Sequence, residues 1–161
     1  MQTEGTTVTL RSITAETVRQ ITGLSVSESQ KGFVASNAVS LAQALFAPSV
    51  WYQAIYFAEE PAGFVMLEDE SLLSPQPEAP RVSVWRLMID AKFQRRGIGR
   101  AALLLVIEHA RSKGLFDTLE LSYVPGPGCP EPFYLSLGFA HTGRVEGNEV
   151  VLEIALSKSA A

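Results

Sequence analysis

The residues best suited to chemistry crowd into one stretch, Trp85-Arg86-Leu87-Met88-Ile89-Asp90-Ala91-Lys92-Phe93-Gln94-Arg95-Arg96-Gly97-Ile98-Gly99-Arg100. A strand pattern ends, a short basic turn follows, two glycines pass and a long helix pattern begins. The first turn of a helix leaves about four backbone N–H groups without partners and carries roughly half a positive charge. Glycine lets a ligand come close to that backbone. Arg95, Arg96 and Arg100 surround the same spot with fixed charge. Residues of these types in this order suit a phosphate, above all a pyrophosphate. A plain solvated turn has the same composition, so the physics alone leaves both readings open.

Known phosphate motifs narrow the choice. No Gly-Lys-Ser/Thr follows, which excludes a P-loop. Gly97, Gly99 and Ala102 satisfy G-x-G-x-x-A, but a dinucleotide fingerprint needs the strand to run straight into its glycines. Here residues 91–96 intervene, and two arginines stand where the turn should be tight. Elsewhere the chemistry is thin. Cys129 has no histidine placed to activate it. His109 falls in a helix pattern and His141 in a late strand or turn, without metal-ligand spacing, so no metal is expected. Glu68, Asp69 and Glu70 form an acidic run that suits a cation or a water-borne proton, or is simply a solvated turn. Trp51, Tyr52 and Trp85 could line an amine pocket by cation–π contact, although burial is the default for Trp85.

Elements must position that stretch. Residues 8–11 read as a strand, and Thr14 offers an N-cap oxygen for a helix to Ile21. Ser27 is a second cap. A helix starting near Asn37 places Val39, Ala42, Leu45 and Phe46 on one face and is closed by Pro48. Residues 53–58 and 64–67 make a hairpin around the turn Glu59-Glu60-Pro61-Ala62-Gly63. After a proline loop at 74–80, residues 81–90 read as a central strand. A long helix over 98–113 ends at Gly114, with Leu103, Val106, Ile107 and Ala110 as its apolar stripe. Residues 118–124 alternate as a strand. Pro130 or Pro132 opens a short helix through Tyr134 that Gly138 ends. Strands at 139–144 and 149–156 join at Gly147-Asn148. The order is β-α-α-β-β-β-α-β-α-β-β, a mixed sheet with one βαβ unit.

Composition bounds the rest. The 161 residues suit one domain, and 47% hydrophobic with 19% charged residues is ordinary for a globular chain. Thirteen Lys and Arg against seventeen Asp and Glu, a net charge of −4, argue against a sequence-blind grip on nucleic acid or an anionic membrane. The start, Met1-Gln2-Thr3-Glu4-Gly5, lacks the basic and apolar regions of a signal peptide, and a single cysteine suits a reducing compartment. A cytoplasmic protein is therefore expected.

Gln94-Arg95-Arg96-Gly97-Ile98-Gly99 resembles the Q/R-x-x-G-x-G/A signature of the GNAT superfamily of acetyl-CoA-dependent N-acetyltransferases. Phe133-Tyr134-Leu135-Ser136-Leu137-Gly138-Phe139 resembles that family's later F/LY-x-x-x-GF segment. The resemblance covers most of the chain. It implies an α/β (α+β) fold of the GNAT kind, a mostly antiparallel sheet flanked by helices, in a single domain over residues 1–161. It implies acetyl-CoA as co-substrate, its pyrophosphate held by Gln94, Arg95, Arg96, Gly97, Ile98, Gly99 and Arg100. The backbone of Met88, Ile89 and Asp90 would polarise the thioester carbonyl and pair with the pantetheine arm. A donor of this kind is typically worth about 3–4 kcal/mol. Tyr134 would be the general acid, a phenol near pKa ~10 protonating a thiolate near ~8.5. Burial as an ordinary core aromatic is its alternative.

The acceptor implied is a small-molecule primary amine, with Glu68 and Trp85 as substrate-binding residues. Residues 85–90 and 30–44 resemble the bacterial diamine and polyamine acetyltransferases. A peptide N-terminus, an amino acid, an aminoglycoside and a non-catalytic acyl-CoA-binding module stay open. A homodimer through the late strands is also expected from the family. Two departures stand out. Arg86 replaces a glutamate that eukaryotic-type polyamine acetyltransferases carry on the central strand, and Pro127 replaces an asparagine that many members carry after the fifth strand.

Overall fold

A computed structural model describes residues 7–156. The opening segment 1–5 and the outer ends of the domain placed over 1–161 lie outside the described residues. The chain runs β1 (Val8–Arg11), α1 (Val18–Thr22), α2 (Asn37–Ala44), β2 (Val50–Phe57), β3 (Glu60–Asp69), β4 (Val82–Ile89), α3 (Ile98–Lys113), β5 (Thr118–Tyr123), α4 (Glu131–Ser136), β6 (Ala140–Glu146) and β7 (Glu149–Ala155). One sheet holds all seven strands in the order β1-β2-β3-β4-β5-β7-β6. Every pairing is antiparallel except β4 with β5. Parallel neighbours need a long crossover, and α3 is that crossover.

The alternation along β3 explains how both sheet faces are covered. Val65 and Leu67 point to the face under α3, where Leu103, Val106, Ile107 and Ala110 are buried as the stripe predicts. Phe64 and Met66 point to the opposite face, with Ile21 of α1, Tyr56 and Met88. Each fully buried side chain of this size contributes roughly 1.5–3 kcal/mol. Helix α3 begins at Gly97 (φ 77°) and ends at Gly114 (φ 66°), both in the left-handed region that favours glycine.

Several local expectations are corrected. The hairpin turn is Ala58-Glu59, with Ala58 at φ 52°, and residues 60–63 belong to β3. Pro61 is tolerated in the strand because β3 itself bulges beside it, Ala62 being the extra residue between the pairs Ile55–Gly63 and Tyr56–Pro61. Gly63 serves close approach rather than a turn: a Cβ there would stand 2.3 Å from the Met88 carbonyl oxygen of β4. Thr17, not Thr14, precedes α1, and its hydroxyl accepts from the Thr14 N–H at 2.9 Å. Ser27 opens only a 3-10 turn, its hydroxyl bonded to Gln30, while Ser36 caps α2 by accepting from the Val39 N–H.

The stripe on α2 faces outward. Leu45 and Phe46 are 82% and 86% exposed, whereas Asn37 and Ser40 are buried. Asn37 turns inward because its Nδ2 donates to the Ile21 carbonyl at 2.8 Å, a bond that periodicity cannot reveal. Asp69 is likewise not part of a solvated turn. It is buried at the end of β3, where it accepts from Lys113 Nζ at 2.6 Å and from the Ser71 N–H and hydroxyl. Burial alone would raise its carboxyl pKa. Lys113 and Ser71 outweigh that and hold it below the usual value.

Candidate active site

Strands β4 and β5 pair through only three residues each, Val82, Ser83 and Val84 against Leu119, Glu120 and Leu121. Beyond that seam they part, because β4 continues alongside β3 while β5 continues alongside β7. A bulge in β4 marks the parting. Trp85 is the extra residue between the pairs Leu67–Val84 and Met66–Arg86. The gap opens into a cleft of about 1290 Å³. Its walls are β4, the end of β5, the start of α3, α4 and the segment 30–35 ahead of α2.

The basic bend forms one end of the cleft. Asp90 starts it, accepting from the Lys92 N–H at 3.0 Å and from the Ser25 N–H at 3.0 Å. Gln94 locks it, donating through Nε2 to the Ile89 carbonyl at 2.9 Å and to Gln30 Oε1 at 2.7 Å. Arg95 (φ 66°) and Gly97 then turn the backbone through the left-handed region, a costly conformation for an arginine. Ile98 is buried and anchors the helix start. No side chain caps α3, and the N–H groups of Ile98, Gly99 and Arg100 have no protein acceptor among the described residues. A Cβ added at Gly97 would meet open space, and one at Gly99 would just touch Ile89 and Phe133 at 3.5 and 3.6 Å. Arg95, Arg96 and Arg100 have no carboxylate partner among the described residues. Arg96 lies over the Phe93 ring at 5.7 Å. Uncapped N–H groups, glycine clearance and unpaired guanidinium groups fit a diphosphate. Gln94 is instead spent on holding the bend together.

The backbone donors on β4 differ from those expected. Asp90 presents none to the cleft, because its N–H donates to the Ala62 carbonyl of β3 at 2.7 Å. Antiparallel pairing alternates, so the N–H of Met88 turns to β3 as well and those of Leu87 and Ile89 turn to the open side. The Met88 side chain is buried on the other face, where its sulfur accepts from Asn37.

Tyr134 lines the cleft from α4, flanked by Phe133 at 5.5 Å and Phe139 at 6.1 Å between ring centroids. Its hydroxyl makes no hydrogen bond among the described residues, and burial pushes its pKa up to about 12. The phenol is thus less acidic than its free value, because apolar rings disfavour the phenolate. Tyr123 also lines the cleft, and burial together with Glu131 raises its pKa.

The far end of the cleft is acidic. Glu68, Glu70, Glu120, Glu146 and Glu149 line it with Arg81 and Arg86. Arg81 and Arg144 both pair with Glu120, and Arg144 also pairs with Glu146. Glu70 accepts from the Arg81 N–H. Glu68, Glu70 and Glu149 form no ion pair among the described residues. Of the three aromatic residues considered for this end, only Trp85 lines the cleft. Trp51 stacks on His109 at 4.2 Å, and Tyr52 packs near Phe64 at 6.3 Å. The Arg81–Glu120–Arg144 bridge and the unpaired state of Arg86 are site features that sequence reading missed, because they join strands far apart in the chain.

A sheet parted beside a parallel seam, with an uncapped basic helix start at its mouth, describes an acyl-carrier transferase. The chain belongs to the Acetyltransferase (GNAT) family, whose model matches residues 24–139, and it is an acetyl-CoA-dependent N-acetyltransferase. No curated protein matches the sequence. Solved structures share the fold at low identity. The ribosomal-protein-S18-alanine N-acetyltransferase of Escherichia coli is 16% identical with a TM-score of 0.67, covering 96% of this chain and 97% of that one. The PaiA N-acetyltransferase of Thermoplasma acidophilum, solved in complex with coenzyme A, is 15% identical with a TM-score of 0.65, covering 92% and 99%. Arabidopsis thaliana Naa50, bound to the bisubstrate analogue CoA-Ac-MVNAL, is 19% identical with a TM-score of 0.64, covering 92% and 98%. Among the described residues no helix is long and apolar enough to cross a membrane, and no cluster of three or more His, Cys, Asp or Glu could hold a metal ion.

Proposed function

We propose that the enzyme acetylates a small primary amine by direct attack inside the parted cleft, with Tyr134 as the proton donor. The observation that carries this is the parting of β4 from β5, which turns the Leu87 and Ile89 N–H groups toward a space shared with Tyr134. Bound at the basic bend, the acetyl thioester supplies an activated carbonyl and a sulfur leaving group. Arg95, Arg96, Arg100 and the first N–H groups of α3 hold its diphosphate. The Leu87 and Ile89 N–H groups stabilise charge on the carbonyl oxygen and anchor the amide-bearing arm. The Tyr134 hydroxyl, protonated at all working pH, gives its proton to the departing sulfur. The apolar setting that weakens the phenol as an acid strengthens the sulfur as a base, which keeps the transfer in reach.

The incoming amine is an ammonium ion at neutral pH and must lose a proton before attack. Asp69 is excluded from that work by its ion pair with Lys113, while Glu70 has one carboxylate oxygen engaged by the Arg81 N–H. Glu68, Glu70 and Glu149 remain to draw the ammonium in, with water carrying its proton away. Trp85 offers the ammonium an aromatic wall. On the glutamates alone, a diamine or polyamine is the acceptor. A peptide N-terminus is the second reading, favoured by a cleft larger than a small amine fills.

Thiol release from acetyl-CoA, measured with a panel of amines, amino acids and peptides, tests the reaction. Amine-dependent release is expected. Tight acetyl-CoA binding with no amine-dependent release would leave an acyl-CoA-binding module and end the catalytic reading.

A further inference from the structure

Arg86 stands apart from the other cations around the cleft. Arg81 shares Glu120 with Arg144, and Lys31 pairs with Glu28. The arginines of the basic bend are unpaired but serve the diphosphate. Arg86 is half-buried on the cleft wall and has no carboxylate partner among the described residues. Its guanidinium lies 5.2 Å from the Trp85 ring. Nη1 donates to the Trp85 carbonyl at 3.0 Å and Nη2 to Gln43 Oε1 at 3.2 Å, while Nε is buried with no partner among the described residues. Glu149 is felt only at a distance.

Holding a guanidinium this way is costly, because burial disfavours its charge and the distant Glu149 offsets only part of that. The bulge at Trp85 fixes where it stands, next to the part of β4 whose N–H groups face the cleft. A diamine would set a second cation against it. A molecule with a carboxylate near its amine would satisfy both signs at once, the carboxylate on Arg86 and the ammonium toward Glu68 and Glu149. Planar guanidinium suits a planar carboxylate.

Resting on the acetyl-transfer reading above, we propose that Arg86 is the carboxylate anchor of the acceptor site and that the preferred acceptor is an amino acid rather than a diamine or a peptide N-terminus.

The test compares matched acceptors in the thiol-release assay: lysine with lysinamide and cadaverine, ornithine with putrescine, and methionine with methioninamide. Within at least one set the free acid should be favoured in kcat/KM. In Arg86→Gln the acid-to-amide ratio should fall roughly tenfold or more, through KM of the acid. Arg86→Lys should restore part of it, which loss of a purely structural arginine would not do. A wild-type preference for amides and diamines in every set, or a ratio unmoved in Arg86→Gln, overturns the proposal while leaving acetyl transfer intact. Thiol release that no amine of any kind stimulates overturns both.

Discussion

The two ends of the cleft handle charge in opposite ways. At the basic bend, Arg95, Arg96 and Arg100 are left without carboxylates, and the first N–H groups of α3 without acceptors. At the far end, Arg81, Glu120, Arg144 and Glu146 neutralise one another. The paired charges there brace β5 against β6 and the start of β4, and they set the shape of the wall. In the proposed function the unpaired ones hold the ligand. By that rule Glu68, Glu70, Glu149 and Arg86 are the far-end residues proposed to meet the acceptor, although they sit among many charges of similar kind.

The contrast can be broken at several points. Gly99→Trp puts an indole where only a Cβ fits against Ile89 and Phe133. Acetyl-CoA binding should drop below detection in calorimetry while the far end keeps its structure, and unchanged affinity would remove the bend from the cofactor site. Tyr134→Phe should lower kcat about 100-fold with little change in acetyl-CoA affinity. Stopped-flow thiol release separates the two, and full activity would remove the acid role.

The pH profile sharpens the same point. Because the Tyr134 pKa is raised to about 12, its hydroxyl stays protonated well beyond the usual phenol range. The rate should climb as the amine deprotonates and should not fall before pH ~10. The same shift weakens the fold in base. Its contribution to stability is intact below the unfolded pKa of about 10 and is lost as pH rises toward 12, visible as a falling melting temperature.

Arg100→Ala should raise the KM for acetyl-CoA by about three- to tenfold, an effect that shrinks in high salt because the guanidinium is exposed to screening. Smallest of all is Arg144→Ala. Glu120 keeps Arg81, so stability should change by less than about 1 kcal/mol in denaturant titration, and acetyl-CoA affinity not at all. A large loss of acetyl-CoA binding in that variant would show that the two ends are not separate.

Local signals made much of the fold legible. The eleven-element order, the extent of α3 and its two glycine ends follow from periodicity and cap chemistry, which act within a few residues. Glu68 and Trp85 do line the cleft, yet Trp51 and Tyr52 beside them in type do not, because strand alternation and the β2–β3 register send them elsewhere. Leu45 and Phe46 look like core by spacing and are exposed, since Asn37 binds the Ile21 carbonyl and rotates α2. Asp90 has no N–H free for the cleft, a matter of what the Ala62 carbonyl takes. None of these can be read without knowing which strand lies alongside. The same is true of Arg86, whose type is visible in the sequence but whose lack of a partner is visible only in three dimensions.

Gly63 lies behind β4 and does not itself line the cleft, yet it governs the mouth. The Met88 carbonyl rests where a methyl group would have to be. Any larger residue at 63 would shove β4 forward and carry the Leu87 and Ile89 amides toward β5, narrowing the opening. The aperture of this enzyme is gauged from its back wall, by the thickness of a single hydrogen atom.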